Sequence, residues 1–185
     1  MLAALVRHLE ERDQTEGHGA RVATLSEPVA RLLGWGPERL AMLRHAPSIH
    51  DVGKLVVPAE VLLKPGPLSP KERDEMRAHP RAGASLVLPL PNARHVLPYV
   101  LLHHEQWDGS GYPCGLRGKS IPIEARLLAV ADAFDAMTSV RPYRASRSHG
   151  EAFAELERNA GLQFDPAMVE AFLAVWHGEE LPVAV

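Results

Sequence analysis

The chain has 185 residues, of which 46% are hydrophobic and 23% are charged, which favours one folded domain over residues 1–185 with a sizeable core. Its formal net charge of −3 gives no electrostatic reason to expect a nucleic-acid duplex or an anionic membrane as partner. The apolar opening is too short for a signal peptide or a membrane span, and the single cysteine, Cys114, excludes an internal disulfide framework and suits the cytoplasm.

The first third of the sequence predicts three helices. Residues 2–13 are amphipathic from the start of the chain, which fits either a stand-alone enzyme or a fragment of a longer protein with an upstream sensor or receiver domain. A second helix begins near His18 and ends at Gly34. Its predicted buried stripe consists of Val22, Leu25, Val29, Leu32 and Leu33. A third helix opens at Pro37 and runs toward residues 50–51, with a kink at Pro47.

The remaining sequence also has helical punctuation. Capping boxes at residues 69–72 and 148–151 predict two helix starts, and Asp165 caps the last helix. Residues 82–90, 93–102 and about 123–139 predict further helices. Since no run alternates as a strand does, we expect an all-α fold, a single helical bundle with at most a small hairpin at residues 115–121.

The segment His50-Asp51-Val52-Gly53-Lys54 combines metal-binding and cationic side chains. His50 and Asp51 can hold one metal ion, and the second oxygen of Asp51 can reach another. In a helical segment, Lys54 shares a face with Asp51 and suits phosphate binding. An ordinary helix end with an Asp51–Lys54 pair explains the same five residues.

The segment His103-His104-Glu105 leads directly into a glycine-rich loop, residues 109–113. Adjacent histidines on a helix point roughly 100° apart, which suits two rings that bind one ion. A buried structural pair is less favourable because each ring would need its own partners. In the loop, Gly111 allows a close backbone approach, and Tyr112 can supply a stacking face or a hydroxyl.

Several isolated residues are candidates of lower specificity. Asp132 lies within an apolar helical run and needs a cation, which can be Arg126 or a metal. Asp135 is better placed as an acceptor than as a ligand. Arg141 and Arg144 carry guanidiniums that can bind phosphate or form a solvated turn. Taken alone, His18 reads as an exposed helix start, and His79 fits either a ligand or an ordinary helix end.

These motifs together resemble a known family. His18, His50-Asp51 and Asp132 are similar to the metal signature of the HD phosphohydrolase superfamily. The segments 50–54, 103–105, 108–113 and 141–144 resemble those of its HD-GYP subfamily. The resemblance covers nearly the whole chain. It implies a helical HD domain that hydrolyses the bacterial second messenger cyclic di-GMP.

The resemblance also implies a ligand set and a mechanism. The first of two metals would be held by His18, His50, Asp51 and Asp132, and the second by Asp51, His79, His103 and His104. Mixed imidazole and carboxylate ligands suit iron or manganese, with zinc or nickel as alternatives. The ions would supply a bridging hydroxide, Lys54 with Arg141 or Arg144 would neutralise the phosphate, and Gly111 and Tyr112 would line the groove. The product would be pGpG, and a second cut would give GMP.

One departure and two alternatives accompany this resemblance. Gln14 stands where part of the family has a glutamate for a third metal, so we expect two metals, although Asp13 or Glu16 could intrude. One alternative is hydrolysis of another cyclic dinucleotide. The other is a catalytically silent module that binds a partner such as a diguanylate cyclase domain. A second copy of the chain is a further candidate partner.

Overall fold

The computed structural model describes residues 2–13, 15–139 and 146–177. Within them it contains α-helices and short 3-10 helices but no β-strand, which confirms the all-helical prediction. The α-helices are α1 (Leu2–Asp13), α2 (His18–Leu32), α3 (Pro37–Leu43), α4 (Ala59–Leu62), α5 (Pro70–Arg77), α6 (His79–Val87), α7 (Ala93–Leu102), α8 (Ile123–Thr138), α9 (His149–Arg158) and α10 (Pro166–Trp176). The 3-10 helices are Ala46–Ile49, Val52–Val56 and Gly118–Ser120.

The predicted capping residues start their helices. The hydroxyl of Ser69 accepts from the backbone N–H of Glu72, and the Glu72 carboxylate accepts from the Ser69 N–H. The same reciprocal pair joins Ser148 and Glu151 at α9. Asp165 accepts from the backbone of the first turn of α10. Each cap satisfies backbone donors that a helix start otherwise leaves without partners.

Helix α8 lies at the centre of the larger hydrophobic core. It packs against α2, α7, α9 and α10, and its apolar face is fully buried. The ring of Phe134 on α8 stacks on Phe153 of α9 with centroids 5.0 Å apart. A smaller core consists of Val52 from the 3-10 segment Val52–Val56, Val87 from α6, and Val96 and Val100 from α7. The candidate ligands come from elements of both cores.

A close approach at Gly53 connects the 3-10 segment Val52–Val56 to α6. A Cβ atom on Gly53 would lie 1.8 Å from the backbone oxygen of His79 and 2.5 Å from the nitrogen of Gly83. Any side chain here would separate the two elements. Since Asp51 directly precedes the 3-10 segment and His79 begins α6, this contact sets the distance between two candidate ligands.

Three local expectations were wrong or need adjustment. Leu32 is 59% exposed rather than buried, whereas Leu33 packs against the core. Helix α3 ends at Leu43, so residues 46–49 form a separate 3-10 helix instead of continuing α3 past a kink. Residues 118–120 form a 3-10 helix, in the segment where the sequence was compatible with a small hairpin.

No helix among the described residues is long and apolar enough to cross a membrane.

Candidate metal centre

Asp51 lies between two groups of possible metal ligands. Its Oδ1 atom is 3.2 Å from His79 Nε2 and 3.6 Å from His103 Nε2, and its Oδ2 atom is 3.4 Å from His50 Nε2. We call Asp51, His79, His103 and His104 the histidine side, and His18, His50, Asp51 and Asp132 the carboxylate side. On the histidine side, all four residues offer ligand atoms within 4.8 Å of one another. On the carboxylate side, His18, His50 and Asp51 do so.

Backbone carbonyls orient three of the rings. The Nδ1 atoms of His50, His79 and His103 lie 2.5, 2.8 and 3.1 Å from the backbone oxygens of Pro47, Met76 and Val100. Each of these oxygens belongs to the third residue before its histidine. A neutral ring that donates from Nδ1 keeps its lone pair on Nε2, the nitrogen that faces Asp51. The carbonyls therefore favour the Nδ1 tautomer, which leaves Nε2 for a metal ion. Burial opposes protonation of His50, but the neighbouring Asp51 carboxylate raises the pKa of this ring, and a metal ion on Nε2 would replace that proton.

A metal ion fits this arrangement because it would resolve an unfavourable contact. The Oδ1 atom of Asp51 is buried and has no hydrogen-bond partner. When both rings donate from Nδ1, the Nε2 atoms of His79 and His103 are acceptors like this oxygen, and they lie 3.3 Å from each other. A buried carboxylate oxygen without a donor is costly, and a cation between these atoms would remove the cost. The donor set of imidazoles and a carboxylate without thiolates suits a transition metal.

The remaining histidine-side ligand, His104, lies against the glycine-rich loop. Its ring stacks on Tyr112 with centroids 4.8 Å apart and an angle of 24°. Burial lowers the pKa of His103, and burial together with the neighbouring His103 ring lowers that of His104 well below the usual value. These rings are therefore neutral at neutral pH, as ligands must be.

On the carboxylate side, side chains orient the ligand His18. Its Nε2 atom is 3.0 Å from Asp132 Oδ1, and its Nδ1 atom is 2.7 Å from Asp135 Oδ2. Arg21 in turn donates from Nε to Asp135 Oδ1 at 2.7 Å. Burial opposes protonation of His18, but its hydrogen bonds with the two carboxylates raise its pKa to about 10. The ring is therefore cationic here, and a divalent ion would compensate the same negative charges.

Asp132 has His18 as its partner rather than Arg126. Arg126 Nη1 is instead 2.5 Å from Asp165 Oδ2, at the start of α10, so the suggested Arg126–Asp132 pair is wrong. Burial opposes ionisation of Asp132, but the hydrogen bond from His18 lowers its pKa below the usual range. An ionised carboxylate in mid-helix thus faces the centre. Asp135, one turn later, lies where an acceptor was predicted.

Lys54 lies beside the shared carboxylate. Its Nζ atom is 2.8 Å from Asp51 Oδ2 and 2.8 Å from Asp13 Oδ2. Burial opposes the charge, but the two carboxylates raise the pKa of Lys54 above its usual value. Asp51 therefore forms the ion pair with Lys54 that an ordinary helix end would have, and it also lies within the ligand cluster. The helix-end and metal-site interpretations of residues 50–54 are thus compatible.

The glycine-rich loop is anchored to the segment that carries two ligands. The buried carboxylate of Glu105 accepts from the backbone nitrogens of Cys114 at 2.6 Å and Leu116 at 2.8 Å. A Cβ atom on Gly111 would lie 2.2 Å from the nitrogen of Gln106, so only glycine fits there. Burial raises the pKa of Tyr112 to about 12, which leaves its hydroxyl protonated. The loop therefore holds a phenol donor next to His104.

The structure brings together every predicted metal ligand and places Lys54, Gly111 and Tyr112 beside them. Arg141 and Arg144 lie outside the described residues. Sequence reasoning missed the roles of Asp13, Arg21 and Glu105. Glu105 is part of the motif that contains the paired histidines, but the sequence predicted no role for it. Asp13 was considered only as a metal ligand. No local pattern predicts the contacts of Asp13 with Lys54 or of Arg21 with Asp135, because these partners are more than 40 residues apart in the sequence.

Comparisons with known proteins found a matching family model and several similar proteins. A family model described as an HD domain matches residues 2–168. The cyclic di-GMP phosphodiesterase response regulator RpfG of Xanthomonas campestris is 42% identical over 176 residues, covering 93% of this chain and 46% of that protein. The 3′3′-cGAMP-specific phosphodiesterase 2 of Vibrio cholerae is 36% identical over 178 residues, covering 93% of this chain and 34% of its own length. The chain thus spans less than half of each of these relatives.

A solved structure has the same fold. Bd1817, described as an HDG"Y"P protein from Bdellovibrio bacteriovorus, superposes with a TM-score of 0.68 at 25% sequence identity. The match covers 87% of this chain and 52% of that one. The fold of the chain is therefore shared with this solved structure.

Proposed function

The chain belongs to the HD domain family and to its HD-GYP members, and from this premise we propose that it is a metal-dependent phosphodiesterase that hydrolyses cyclic di-GMP. The observation that carries the proposal is the buried Oδ1 atom of Asp51, which has no hydrogen-bond partner and lies among imidazole nitrogens. Relatives named cyclic di-GMP phosphodiesterases, 41–42% identical over most of this chain, support the substrate. The product would be pGpG, with GMP after a second cut.

The proposed centre holds two divalent metal ions, iron or manganese before zinc or nickel. His18, His50, Asp51 and Asp132 would hold one ion, and Asp51, His79, His103 and His104 the other. When bound, such a pair supplies Lewis acidity and a hydroxide nucleophile near neutral pH. No side chain of this protein then needs to act as the nucleophile.

The other proposed roles belong to groups around the ligands. The Lys54 ammonium, beside Asp51, would place positive charge next to the phosphate oxygens as charge develops there. The protonated Tyr112 hydroxyl would donate a hydrogen bond to the substrate. Gly111 keeps the loop against the ligand segment, and Arg141 and Arg144 are proposed as further phosphate contacts. The substrate, a bacterial messenger, and the free Cys114 favour a cytoplasmic location.

The test is hydrolysis by protein loaded anaerobically with ferrous iron or manganese. The products of cyclic di-GMP are separated by chromatography, and the metals are counted on the same sample. We expect metal-dependent release of pGpG, and much slower release by Lys54→Met with an unchanged metal content. Wild-type protein with two bound ions and no hydrolysis of a cyclic dinucleotide would contradict the proposal. It would favour the silent module, for which binding to a diguanylate cyclase domain is the assay.

A second candidate substrate is 3′3′-cGAMP. The relative of Vibrio cholerae named for this substrate covers 93% of the chain. Equimolar cyclic di-GMP and 3′3′-cGAMP in one reaction give the ratio of the two kcat/KM values directly. If kcat/KM for cyclic di-GMP exceeds that for 3′3′-cGAMP, cyclic di-GMP is the preferred substrate. If it is smaller, 3′3′-cGAMP is the preferred substrate.

A further inference from the structure

Arg77 is a cation at the edge of the candidate centre. It is the last residue of α5, and its guanidinium carbon lies 5.1 Å from the centre of the Tyr112 ring. The Tyr112 ring in turn stacks on His104. Only Ala78 separates Arg77 from His79, the first residue of α6. A positive charge is thus held one ring away from a predicted metal ligand.

The charge of Arg77 is not neutralised by a carboxylate in the described part of the chain. Many other arginines there are paired with one. These are Arg21, Arg31, Arg39, Arg44, Arg126, Arg147 and Arg158. Arg77 is exposed, and its contact is with the face of an aromatic ring. Stacking of this kind orients a guanidinium but leaves its N–H donors available at the edge of the plane.

Lys54 cannot serve the same purpose. Its ammonium lies 2.8 Å from both Asp51 and Asp13, directly beside the shared carboxylate. A group bound there is the one that reacts. The proposed substrate has two phosphodiesters in one ring, and only one can lie at the ligand cluster. The other phosphodiester lies away from that cluster, where the Arg77 guanidinium can donate two parallel hydrogen bonds to it, alongside the contacts proposed for Arg141 and Arg144.

Resting on the proposed function, we propose that Arg77 binds the non-reacting phosphate of the cyclic dinucleotide and thereby determines its affinity. Arg77 acts on a part of the substrate that does not change during the reaction. Its loss therefore raises KM and leaves kcat nearly unchanged. A substrate with a single phosphodiester does not depend on it.

The test compares Arg77→Gln with Arg73→Gln in the metal-loaded protein. Arg73 is an exposed arginine one turn earlier on α5, where its guanidinium donates to the backbone oxygen of Leu68. Steady-state kinetics are measured with cyclic di-GMP and with bis(4-nitrophenyl) phosphate, which has one phosphodiester. The metal content of each sample is measured as well.

For Arg77→Gln we expect a KM for cyclic di-GMP that is about 10- to 100-fold higher, as for the loss of charge-assisted hydrogen bonds. Its kcat, its metal content and its kcat/KM for bis(4-nitrophenyl) phosphate stay within about twofold of wild type, and Arg73→Gln matches wild type throughout. An unchanged KM for cyclic di-GMP would overturn the assignment. So would an equal loss on both substrates, which would mean that Arg77 only supports Tyr112 and His104. Wild-type protein that cleaves bis(4-nitrophenyl) phosphate but no cyclic dinucleotide would instead overturn the proposed function, and this inference with it.

Discussion

The two sides of the candidate centre share Asp51 but are built differently. On the histidine side, His79 and His103 donate to backbone carbonyls of their own local turns. On the carboxylate side, His18 on α2 depends on Asp135, a side chain of α8 that is itself held by Arg21. Backbone carbonyls cannot be removed by substitution, whereas Asp135 can. The histidine side therefore has two rings, His79 and His103, that local turns orient, whereas the carboxylate side has one such ring, His50, and a second, His18, that depends on a replaceable contact between helices.

The largest effect should follow from removal of the residue common to both sides. Asp51→Asn replaces the shared carboxylate with a poorer, neutral ligand, so both ions should be lost or greatly weakened. We expect hydrolysis to fall about a thousandfold or more, since the metals supply several kcal/mol of transition-state stabilisation. Metal analysis and the rate on cyclic di-GMP measure this. Asp74→Asn, an exposed carboxylate on α5, is the control. A variant with full metal content would show that Asp51 is not shared.

Substitution on one side alone should separate the two metals. Asp132→Asn removes a ligand that belongs to the carboxylate side, and His104→Gln one that belongs to the histidine side. Each variant should retain about one ion per chain and lose most of its activity, because hydrolysis by such a centre uses both metals. Metal analysis after gel filtration checks the retained ion. If both variants retain both ions, the division into two sides is wrong.

A smaller effect should reveal the dependence on side-chain support. Asp135→Asn weakens the acceptor that orients His18, so affinity for one ion should fall about 10- to 100-fold while the other is unchanged. Competition with a chromogenic chelator measures both affinities. The control is Arg31→Gln. Arg31 is exposed, lies on α2 as His18 does, and forms an ion pair with Glu27, so its substitution should leave both metal affinities unchanged. Equal weakening of both ions would contradict the proposed asymmetry.

The smallest effect should come from the loop beside the histidine side. Glu105→Gln weakens the hydrogen bonds that the buried carboxylate accepts from Cys114 and Leu116. We expect the free energy of unfolding to fall by about 1–3 kcal/mol and the metal content to stay unchanged. Denaturant unfolding and metal analysis measure the two quantities, and Glu157→Gln on α9 is a surface control. A lost ion would mean that the loop also holds His104 in place.

The sequence predicted most of the helices because their boundaries are set locally. The capping boxes of α5 and α9 and the proline of α3 act through neighbouring residues, and these helices begin where predicted. The predicted burial of Leu32 was wrong because the helical period indicates which face of a helix is apolar, but not how far the neighbouring helices cover that face. The break after Leu43 was missed because a kinked helix and two separate helices have the same apolar pattern.

The predicted ligands came from motif order rather than from geometry. The sequence could not decide whether His79 is a metal ligand or a residue at an ordinary helix end. Its burial depends on the contact between Gly53 and the start of α6, which no local pattern predicts. The same limit applies to supporting contacts. The pairs Lys54–Asp13 and Arg21–Asp135 join elements that are distant in sequence, and no spacing rule connects them.

The most direct test of the central claim is electron paramagnetic resonance of the manganese-loaded protein, with metals counted on the same sample. Two ions that share the Asp51 carboxylate are predicted to give a spectrum of exchange-coupled manganese at about two ions per chain. In Asp51→Asn the coupled signal should disappear. Two bound ions with the spectrum of isolated manganese, or one ion at saturation, would contradict a centre built around a shared Asp51.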